Sequence, residues 1–525
     1  MSGERVHPGE GASMPQQQSD APLGAAGAPR LLTTSRCWRT ARAGRVSFLT
    51  DGAAIFAAAI SAIRKARRSI LLLGWSFDPR TRLQPDPNET QDAADEIGNV
   101  LKALARQRPE LDIRILIWKS ALPISATQQF FPHRAQGWFH GSPIRFLLDS
   151  SVPYGACHHQ KVLVVDDKVA MSGSLDFCPD RWDTPAHLDR DPRRVMPGGK
   201  HHPPRHEVMM MVDGPAARML GDLARTRWMR AARHAIAPPP DMEASDHWPM
   251  WLPPDMEDVD VAVARTEPAW RGQPEVTEVE ALHLASILGA RRSIYLENQY
   301  FTSPLIGEAL AQSLMRAEGP DIVLVSTRNS PSYFDQLTMD RTRADLLERL
   351  RAADAHGRLR AYSPCTAAGR SIIVHSKVTV IDDRLVRIGS ANLNNRSGGF
   401  DTECDVAIEA RTGEQSEAIA RLRAQLIGHF AGAAPGDVEV LIREHGLARA
   451  IERLAARSAG RLTPIESAKP GPIGALIAAY HLGDPQDPAD SWRPILRRRR
   501  LRADVKRIAL AAGSSAALID PEVND

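Results

Sequence analysis

A short motif that occurs twice constrains the fold of this chain more than any other feature. The motif is a histidine, a lysine two positions later and an aspartate five positions after the lysine. Its two copies are His159, Lys161 and Asp166 in the first half of the chain, and His375, Lys377 and Asp382 in the second. One copy is a weak signal, because so short a pattern also arises by chance. Two copies with identical spacing predict two related structural units in one polypeptide.

The residues after each motif extend the repeat. A glycine, a serine and an acid or amide stand at the same distances from both histidines; they are Gly173, Ser174 and Asp176 in the first copy, and Gly389, Ser390 and Asn392 in the second. Glycine lets the backbone approach a ligand, and hydroxyls and amides donate hydrogen bonds. We therefore expect both serines, together with Asp176 and Asn392, to bind substrate. An Asp-Thr pair also follows each copy, at 183–184 and 401–402.

Two pairs of segments predict the fold class. Residues 66–77 (ARRSILLLGWSF) and 290–301 (ARRSIYLENQYF) are short apolar runs, each preceded by a stretch with helical periodicity. Residues 158–167 and 374–383, which contain the motifs, are rich in β-branched residues and end in paired aspartates, which is typical of central strands. Strands that alternate with helices, twice over, predict two α/β units.

Local composition predicts the domain boundaries. Residues 1–30 are rich in Gly, Pro, Gln, Ser and Ala, which indicates a disordered arm. The proline-rich stretch 238–254 cannot continue a helix or an inner strand and is interpreted as a linker. The two repeat-bearing domains then span 31–237 and 255–435. Residues 436–525 turn helical and then basic, and we interpret them as a C-terminal extension.

Overall composition excludes several classes of protein. The 66 basic and 63 acidic residues nearly balance, so the charge does not favour a general nucleic-acid-binding surface. The five cysteines form no CxxC pair and indicate neither a zinc site nor a disulfide framework. We find no signal peptide and no apolar run long enough to span a membrane. The location stays open between the cytoplasm, a peripheral membrane site and secretion without a cleaved signal.

Two histidines and two lysines that converge on one point suit a phosphodiester. Cations and neutral donors can hold the non-bridging oxygens while the imidazoles carry out covalent and proton-transfer steps. We expect His159 and His375 to fill these roles, with Asp183, Asp401 and Glu403 orienting their rings. Since the lysines already supply positive charge, we expect no metal and no cofactor at this site.

Two further groups receive a more ordinary interpretation. Asp166 and Asp382 complete the predicted catalytic motifs, but their position at strand ends favours a structural role. A loop-like insert spans residues 185–204, and His201, His202 and His206 lie in it or next to it. These histidines lack cysteine or carboxylate partners at a metal-binding spacing, so a polar loop is the preferred interpretation.

The two motif blocks resemble the phospholipase D superfamily, in its branch with two motifs in a single chain. The resemblance rests on residues 157–187 (CHHQKVLVVDDKVAMSGSLDFCPDRWDTPAH), 294–301 (IYLENQYF) and 388–403 (IGSANLNNRSGGFDTE). It implies an α/β fold of two pseudo-symmetric sandwich domains packed about a shared active site. It also implies hydrolysis of phosphatidylcholine-like lipids, with His159 as the nucleophile that forms a phosphohistidine and His375 as the general acid.

Other functions use the same motifs and remain alternatives. One is a cardiolipin synthase-like phosphatidyltransferase, and another is a nucleic-acid phosphodiesterase of the same superfamily. A non-catalytic lipid-binding module on this scaffold is disfavoured by the intact second motif. The expected partner is a phospholipid membrane surface, with no nucleic acid and a monomeric chain. Transphosphatidylation to an added alcohol is a further expected activity.

Overall fold

The computed structural model describes residues 29–86, 93–127, 129–240, 246–332, 335–466, 480, 483–487, 490 and 494–511. Most of the predicted N-terminal arm lies outside these residues, as do parts of the predicted linker and of the C-terminal extension. Among the described residues, no helix combines the length and the apolar character needed to cross a bilayer.

Eighteen strands are described. Those of the first half are β1 (Arg39–Thr50), β2 (Ser69–Gly74), β3 (Asp112–Trp118), β4 (Arg145–Asp149), β5 (Val162–Val165), β6 (Val169–Gly173), β7 (Arg205–His206) and β8 (Val208–Asp213). Those that follow are β9 (Met256–Glu267), β10 (Val276–Thr277), β11 (Ser293–Glu297), β12 (Asp321–Val325), β13 (Leu359–Pro364), β14 (Ile373–Val374), β15 (Val378–Ile381), β16 (Leu385–Gly389), β17 (Glu403–Glu409) and β18 (Leu462–Pro464).

Twelve α-helices are described. They are α1 (Asp51–Lys65), α2 (Ile97–Gln107), α3 (Leu122–Thr127), α4 (His133–Trp138), α5 (Gly214–Ala232), α6 (Glu278–Gly289), α7 (Pro304–Met315), α8 (Arg341–Ala353), α9 (Gly413–Ala431), α10 (Pro435–His445), α11 (Leu447–Arg457) and α12 (Pro494–Ala511). The last three form the helical C-terminal extension. The two apolar runs and the two helical stretches that precede them lie in β2, β11, α1 and α6, as the sequence predicted.

One sheet runs through both halves and makes the internal repeat visible. Its strand order is β18-β13-β12-β11-β15-β16-β17-β9-β1-β8-β6-β5-β2-β3-β4. Read outward from the central antiparallel pair β1–β9, the first half gives β8-β6-β5-β2-β3-β4 and the second gives β17-β16-β15-β11-β12-β13. In both halves the outer strands are parallel to one another and the motif strand is antiparallel to them. The predicted α/β class and pseudo-symmetry are confirmed.

Helices cover both faces of this sheet. Because successive strand side chains point to opposite faces, β2 sends Leu71 and Leu73 to one core and Ile70 and Leu72 to another. The first core is continuous across both halves and packs against α5 and α9. On the opposite face each half has a core of its own, under α1 and α2 in the first half and under α6, α7 and α8 in the second.

The described part of the predicted linker packs against the first half of the chain. Trp248 belongs to the core under α1, and Nε2 of the buried His247 donates to Oδ2 of Asp166 (2.8 Å). The carbonyls of Asp246 and Trp248 accept hydrogen bonds from Lys65 at the end of α1. This segment therefore packs as part of the domain, while the exact residue bounds of the two domains stay a prediction.

Candidate active site

Each motif histidine lies just ahead of its central strand, on backbone that crosses to the other half. β5 begins at Val162 and β15 at Val378, so the histidines and lysines precede the strands rather than lying within them. The backbone N–H of His159 donates to the carbonyl of Thr402 (3.0 Å), and that of His375 donates to the carbonyl of His206 (2.8 Å). Short parallel contacts between the halves thus bring both motifs together.

Each histidine is oriented by a glutamate of the opposite half. Nδ1 of His159 lies 3.0 Å from Oε2 of Glu403, and Nδ1 of His375 lies 2.8 Å from Oε2 of Glu207. Both carboxylates are fully buried, whereas the side chains of His159 and His375 retain 14% and 9% exposure. A carboxylate at Nδ1 places the ring hydrogen there, so Nε2 of each imidazole carries its lone pair on the solvent-accessible side.

Serine hydroxyls hold these two glutamates. Ser174 donates to Oε2 of Glu207 (2.5 Å), and Ser390 donates in the same way to Glu403, which also accepts from Ser397 (2.6 Å). Each serine oxygen in turn accepts a backbone N–H from the following strand. A hydroxyl has one hydrogen to donate. In the structure the hydroxyl hydrogens of Ser174 and Ser390 are directed to the carboxylates, and substrate binding by these two serines stays a prediction.

The two lysines have different partners. Nζ of Lys161 donates to the carbonyl of His159 (2.9 Å) and pairs with Oδ2 of Asp176 (3.2 Å). Nζ of Lys377 donates to the carbonyl of His375 (2.6 Å) and lies 3.4 Å from the neutral Oε1 of Gln299. Asp176 also accepts the backbone N–H of Trp75 (2.9 Å), so it anchors Lys161 rather than a substrate.

Asn392 holds the position that corresponds to Asp176 in the second half. Its backbone N–H donates to Ser397 (3.0 Å), and its side-chain Oδ1 is buried without a hydrogen-bond partner among the described residues. A buried amide oxygen of this kind costs free energy unless a ligand or water satisfies it. Among the four predicted substrate-binding residues, Asn392 therefore has the side chain best suited to that role.

Burial and mutual repulsion set the charges of the free site. Desolvation, then the positive charges of Lys161 and Lys377, holds the pKa of His159 well below its ordinary value. Burial, and next Lys377, lowers the pKa of His375 in the same direction. Burial also lowers the pKa of Lys377 to about 7 and raises the pKa of Glu403 to about 7. The free site thus holds neutral imidazoles, as a nucleophile requires.

The motif aspartates lie at the far ends of the motif strands. The carboxylate of Asp166 accepts three backbone N–H groups, at residues 67–69, and that of Asp382 accepts the three at residues 291–293. Each begins a tight turn with positive φ (53° and 55°), a conformation that aspartate tolerates better than most residues. Both carboxylates thus hold the first residues of β2 and β11, and these contacts give the two aspartates a structural role.

Two of the three predicted orienting carboxylates serve other partners. Asp183 accepts from Nδ1 of His187 (2.8 Å) and from the backbone N–H of Arg205 (2.9 Å). Asp401 pairs with Arg396 (2.7 Å) and accepts the backbone N–H of Cys157 (2.8 Å). Neither contacts His159 or His375 in the hydrogen bonds of the described residues. Of the three, Glu403 alone contacts a motif histidine.

Glu207 is the functional residue that the sequence analysis missed. Glu403 lies 28 positions after His375, whereas Glu207 lies 48 positions after His159. The difference equals the 20 residues of the insert 185–204. If the insert is left out when positions are counted from each motif histidine, Glu207 aligns with Glu403 and His206 aligns with Thr402. The sequence analysis had instead aligned the two Asp-Thr pairs.

Two family models match this chain. The model described as "Phospholipase D" matches residues 62–305, and the model described as "Cardiolipin synthase, PLD-like domain" matches residues 284–427. The matched stretches contain the first and the second motif, respectively. Together they span nearly all of the pseudo-symmetric sheet.

Curated relatives of this chain are phospholipases D that align at modest identity. Phospholipase D1 of Saccharomyces cerevisiae is 25% identical over 76% of this chain and 28% of its own length, and Phospholipase D A of Dictyostelium discoideum is 24% identical over 65% and 31%. Phospholipase D gamma 3 of Arabidopsis thaliana is 29% identical over 33% of this chain and 24% of its own. The chain thus spans only about a quarter to a third of these relatives.

Among solved structures, the phosphatidylserine synthase of Haemophilus influenzae Rd KW20 aligns with a TM-score of 0.47 and 13% identity, over 78% of this chain and 94% of that chain. That score is too low for an inference about function. The sequence evidence is stronger: two family models cover the two motifs in turn, and the curated relatives are phospholipases D. On these grounds the chain belongs to the phospholipase D superfamily.

Proposed function

We propose that the protein hydrolyses phosphatidylcholine-like phospholipids to phosphatidic acid and the free headgroup alcohol. The observation that carries the proposal is the crossed pair of histidines, each held by a buried glutamate of the other half. Two imidazoles with matched orienting groups, next to two lysines, suit a two-step displacement at a phosphodiester. The phospholipase D relatives support the same reaction class.

In the first step Nε2 of His159 attacks phosphorus. Its lone pair is available because Nδ1–H donates to Glu403. As the new N–P bond forms, the bond from phosphorus to the headgroup oxygen breaks, and that oxygen takes a proton from Nε2 of His375. The products of this step are the free alcohol, a phosphatidyl group on His159 and a neutral His375.

In the second step a water molecule reverses these roles. Nε2 of His375 accepts a proton from the water, whose oxygen attacks phosphorus and displaces His159. The N–P bond breaks, phosphatidic acid leaves and His375 is again protonated. An alcohol in place of water gives a phosphatidyl alcohol by the same route, which accounts for the expected transphosphatidylation.

Substrate binding favours the protonated form of His375, which takes its proton from the solvent. In the free site, burial and then Lys377 hold the pKa of His375 low. A bound phosphodiester places a negative charge beside Lys161 and Lys377 and offsets their repulsion, so the pKa of His375 rises when its proton is required. The buried Oδ1 of Asn392 faces no protein donor among the described residues and can accept from the attacking water or from the hydroxyl of the released alcohol.

Apolar surface near the motif fits a lipid substrate. The amino end of β5 lies at the same edge as the carboxyl ends of β2, β3 and β4, because β5 is antiparallel to them. Segments that follow β3 and β4 at this edge expose Leu122, Phe130 and Tyr154, the last at 88%. A small apolar cluster that includes Trp118, Cys157 and Phe400 lies beside the first motif. These features support docking on a membrane surface.

Vesicle assays with the purified full chain test the proposal. We expect choline release from phosphatidylcholine vesicles, and phosphatidylethanol when ethanol is added. His159→Asn and His375→Asn should each lower the rate by about 10⁴-fold or more, since the residues act as a unit. His201→Asn, at an exposed position of the insert, is the matched control and should retain activity. Cleavage of a nucleotide diester without any lipid product would contradict the proposal.

A second candidate function is phosphatidyl transfer to a lipid alcohol. The family model that matches the second half carries the description of a cardiolipin synthase. If transfer dominates, phosphatidylglycerol vesicles should yield cardiolipin and free glycerol faster than phosphatidic acid. Mass spectrometry of the products across a headgroup panel separates the two candidates. Since one chain contributes both motifs, a monomer suffices for either reaction, and we propose that state.

A further inference from the structure

Three buried ligand atoms point at one another directly behind the active site. They are Oδ2 of Asp51, Nε2 of His187 and Nε2 of His429, and none has a hydrogen-bond partner among the described residues. The side chains of Asp51 and His187 are fully buried and that of His429 is 5% exposed. Unsatisfied polar atoms of this kind cost free energy, and native proteins satisfy nearly all of them.

The spacing of these atoms fits a shared cation better than hydrogen bonds. Nε2 of His187 lies 3.7 Å from Oδ2 of Asp51, and Nε2 of His429 lies 3.6 Å from the same oxygen. Both separations exceed an ordinary N–H···O bond. Two ligands held tetrahedrally at zinc distances stand about 3.4 Å apart. Ligand atoms of Asp51, His187, His206 and His429 all lie within 4.8 Å of one another.

The atoms behind two of these ligands are fixed as metal sites require. Nδ1 of His187 donates to Asp183 across 2.8 Å, which directs the Nε2 lone pair toward Asp51. Oδ1 of Asp51 accepts from Nδ1 of His206 (2.8 Å) and from the backbone N–H of Glu207 (3.2 Å), which leaves Oδ2 to the cation. A carboxylate that orients a ligating histidine in this way is a recurrent feature of zinc sites.

We propose that Asp51, His187 and His429 bind one divalent cation of the zinc class, with water completing its coordination. His206 is a neighbour rather than a ligand, because its two ring nitrogens contact Asp51 and Glu297. Imidazole nitrogens with a carboxylate oxygen form a donor set that favours zinc over calcium or magnesium. The site is buried, so the cation has a structural role.

The cation connects segments that are distant in the sequence. Asp51 begins α1, His187 opens the insert 185–204, and His429 lies near the end of α9 in the second half. Asp51 also receives the backbone N–H of Glu207, the residue that orients His375. The cation therefore braces the first-half glutamate against the second half without contacting the substrate.

This site differs from the histidine cluster that the sequence brought to notice. His201 is exposed, and Nδ1 of His202 lies 3.1 Å from the carbonyl of Pro203. Of that cluster, only His206 lies near Asp51. His201 is therefore a suitable control position, because a substitution there removes an imidazole from the same insert without touching the proposed ligands.

Metal analysis of the untagged 525-residue chain tests the inference independently of any lipid assay. Elemental mass spectrometry should find about one zinc per chain in the wild type. His187→Ala and His429→Ala should each lower this content about tenfold or more, and His201→Ala should leave it unchanged. A metal content that survives both ligand substitutions would overturn the proposal.

A reconstitution experiment covers the case in which a variant fails to fold. Wild-type protein stripped with a chelator should take up one zinc ion per chain on titration, and its Tm should rise as zinc is added. Calcium and magnesium should produce no such rise. Wild-type protein that is purified without metal and takes up no zinc on titration would also end the proposal, whatever its activity toward lipids.

Discussion

The two halves of the active site agree in their carboxylates and differ in their lysines. In both halves a serine and a strand hold a buried glutamate, which orients the histidine of the other half. The lysines follow the histidines at the same spacing, but Lys161 pairs with Asp176 whereas Lys377 contacts the neutral Gln299. The acid-to-amide difference between Asp176 and Asn392 thus accompanies the difference between the two lysines.

This difference shows how two copies of one motif can provide histidines with distinct roles. An anchored Lys161 has its charge partly balanced before substrate arrives. Burial lowers the pKa of Lys377 to about 7, so its charge is most stable when an anionic phosphate is bound. The second half therefore responds more strongly to substrate, which agrees with assigning the proton-transfer role to His375 and the nucleophilic role to His159.

The largest effects are expected from removing the orienting charges. Glu403→Gln and Glu207→Gln should each lower kcat/KM by about 10² to 10⁴-fold, because each histidine loses the acceptor that fixes its tautomer. Steady-state choline release measures this. Ser397→Ala, which removes one of the donors to Glu403, is the milder control and should cost about tenfold or less. Equal activity of the wild type and both glutamine variants would show that the two glutamates do not orient the histidines for catalysis.

The dependence of kcat/KM on pH gives a second test of the role of Glu403. Burial raises the pKa of Glu403 to about 7, so the carboxylate is protonated below that pH and can no longer accept from His159. We expect wild-type kcat/KM to fall about tenfold per pH unit below this value. Glu403→Gln should abolish that limb of the profile, since glutamine does not titrate. An unchanged acidic limb in this variant would assign it to another group.

A smaller effect is expected from exchanging the residues that break the symmetry. Asp176→Asn leaves Lys161 buried without its counter-charge and should lower kcat/KM about 10- to 100-fold. By the pseudo-symmetry with Asp176, we expect Asn392→Asp to place a carboxylate beside Lys377 and to raise the pKa of that lysine from about 7, which moves the alkaline limb of the pH profile upward. A profile that does not move would mean that residue 392 does not face Lys377.

Local spacing explains how much of this architecture the sequence predicted. The strands β2 and β11 and the helices before them follow from hydrophobic periodicity within short stretches of sequence, where periodicity is informative. The pairing of the halves follows from the repetition of these stretches ahead of both motifs. The convergence of His159, Lys161, His375 and Lys377 follows from the repeated offsets. Glu403 was predicted because it directly follows the second Asp-Thr pair, at 401–402.

What the sequence could not predict depends on contacts between distant segments. Asp183 and Asp401 are near the motifs in sequence, yet they bind His187 and Arg396. Glu207 was displaced in the count by the insert, and the direction of the Ser174 hydroxyl is decided only by the strand that packs on it. The group that includes His187 and His429 is joined by folding alone, with no spacing to reveal it.

The smallest effect on activity is expected from substituting the aspartates at the far ends of the motif strands. These substitutions should lower the stability of the fold instead. Asp166 is buried and accepts His247 in addition to three backbone N–H groups, whereas Asp382 is half-buried and lacks a histidine partner among its described contacts. Asp166→Asn should therefore lower the free energy of unfolding by about 2–3 kcal/mol, and Asp382→Asn by about 1 kcal/mol. Activity at 25 °C should stay within about twofold in both.

The pH dependence of this stability difference fixes its cause. Burial alone would raise the pKa of Asp166, but the hydrogen bonds from His247 and from the backbone at Ser69 outweigh it and hold the pKa below its ordinary value. A lowered carboxyl pKa stabilises the fold above the unfolded value near 4, and this stabilisation is lost as the pH falls through the folded value. In urea unfolding, the loss of unfolding free energy caused by Asp166→Asn should thus be constant above about pH 5 and should become smaller below about pH 4. A cost that is independent of pH would assign the effect to packing, and equal costs at Asp166 and Asp382 would show that the two turns are energetically equivalent.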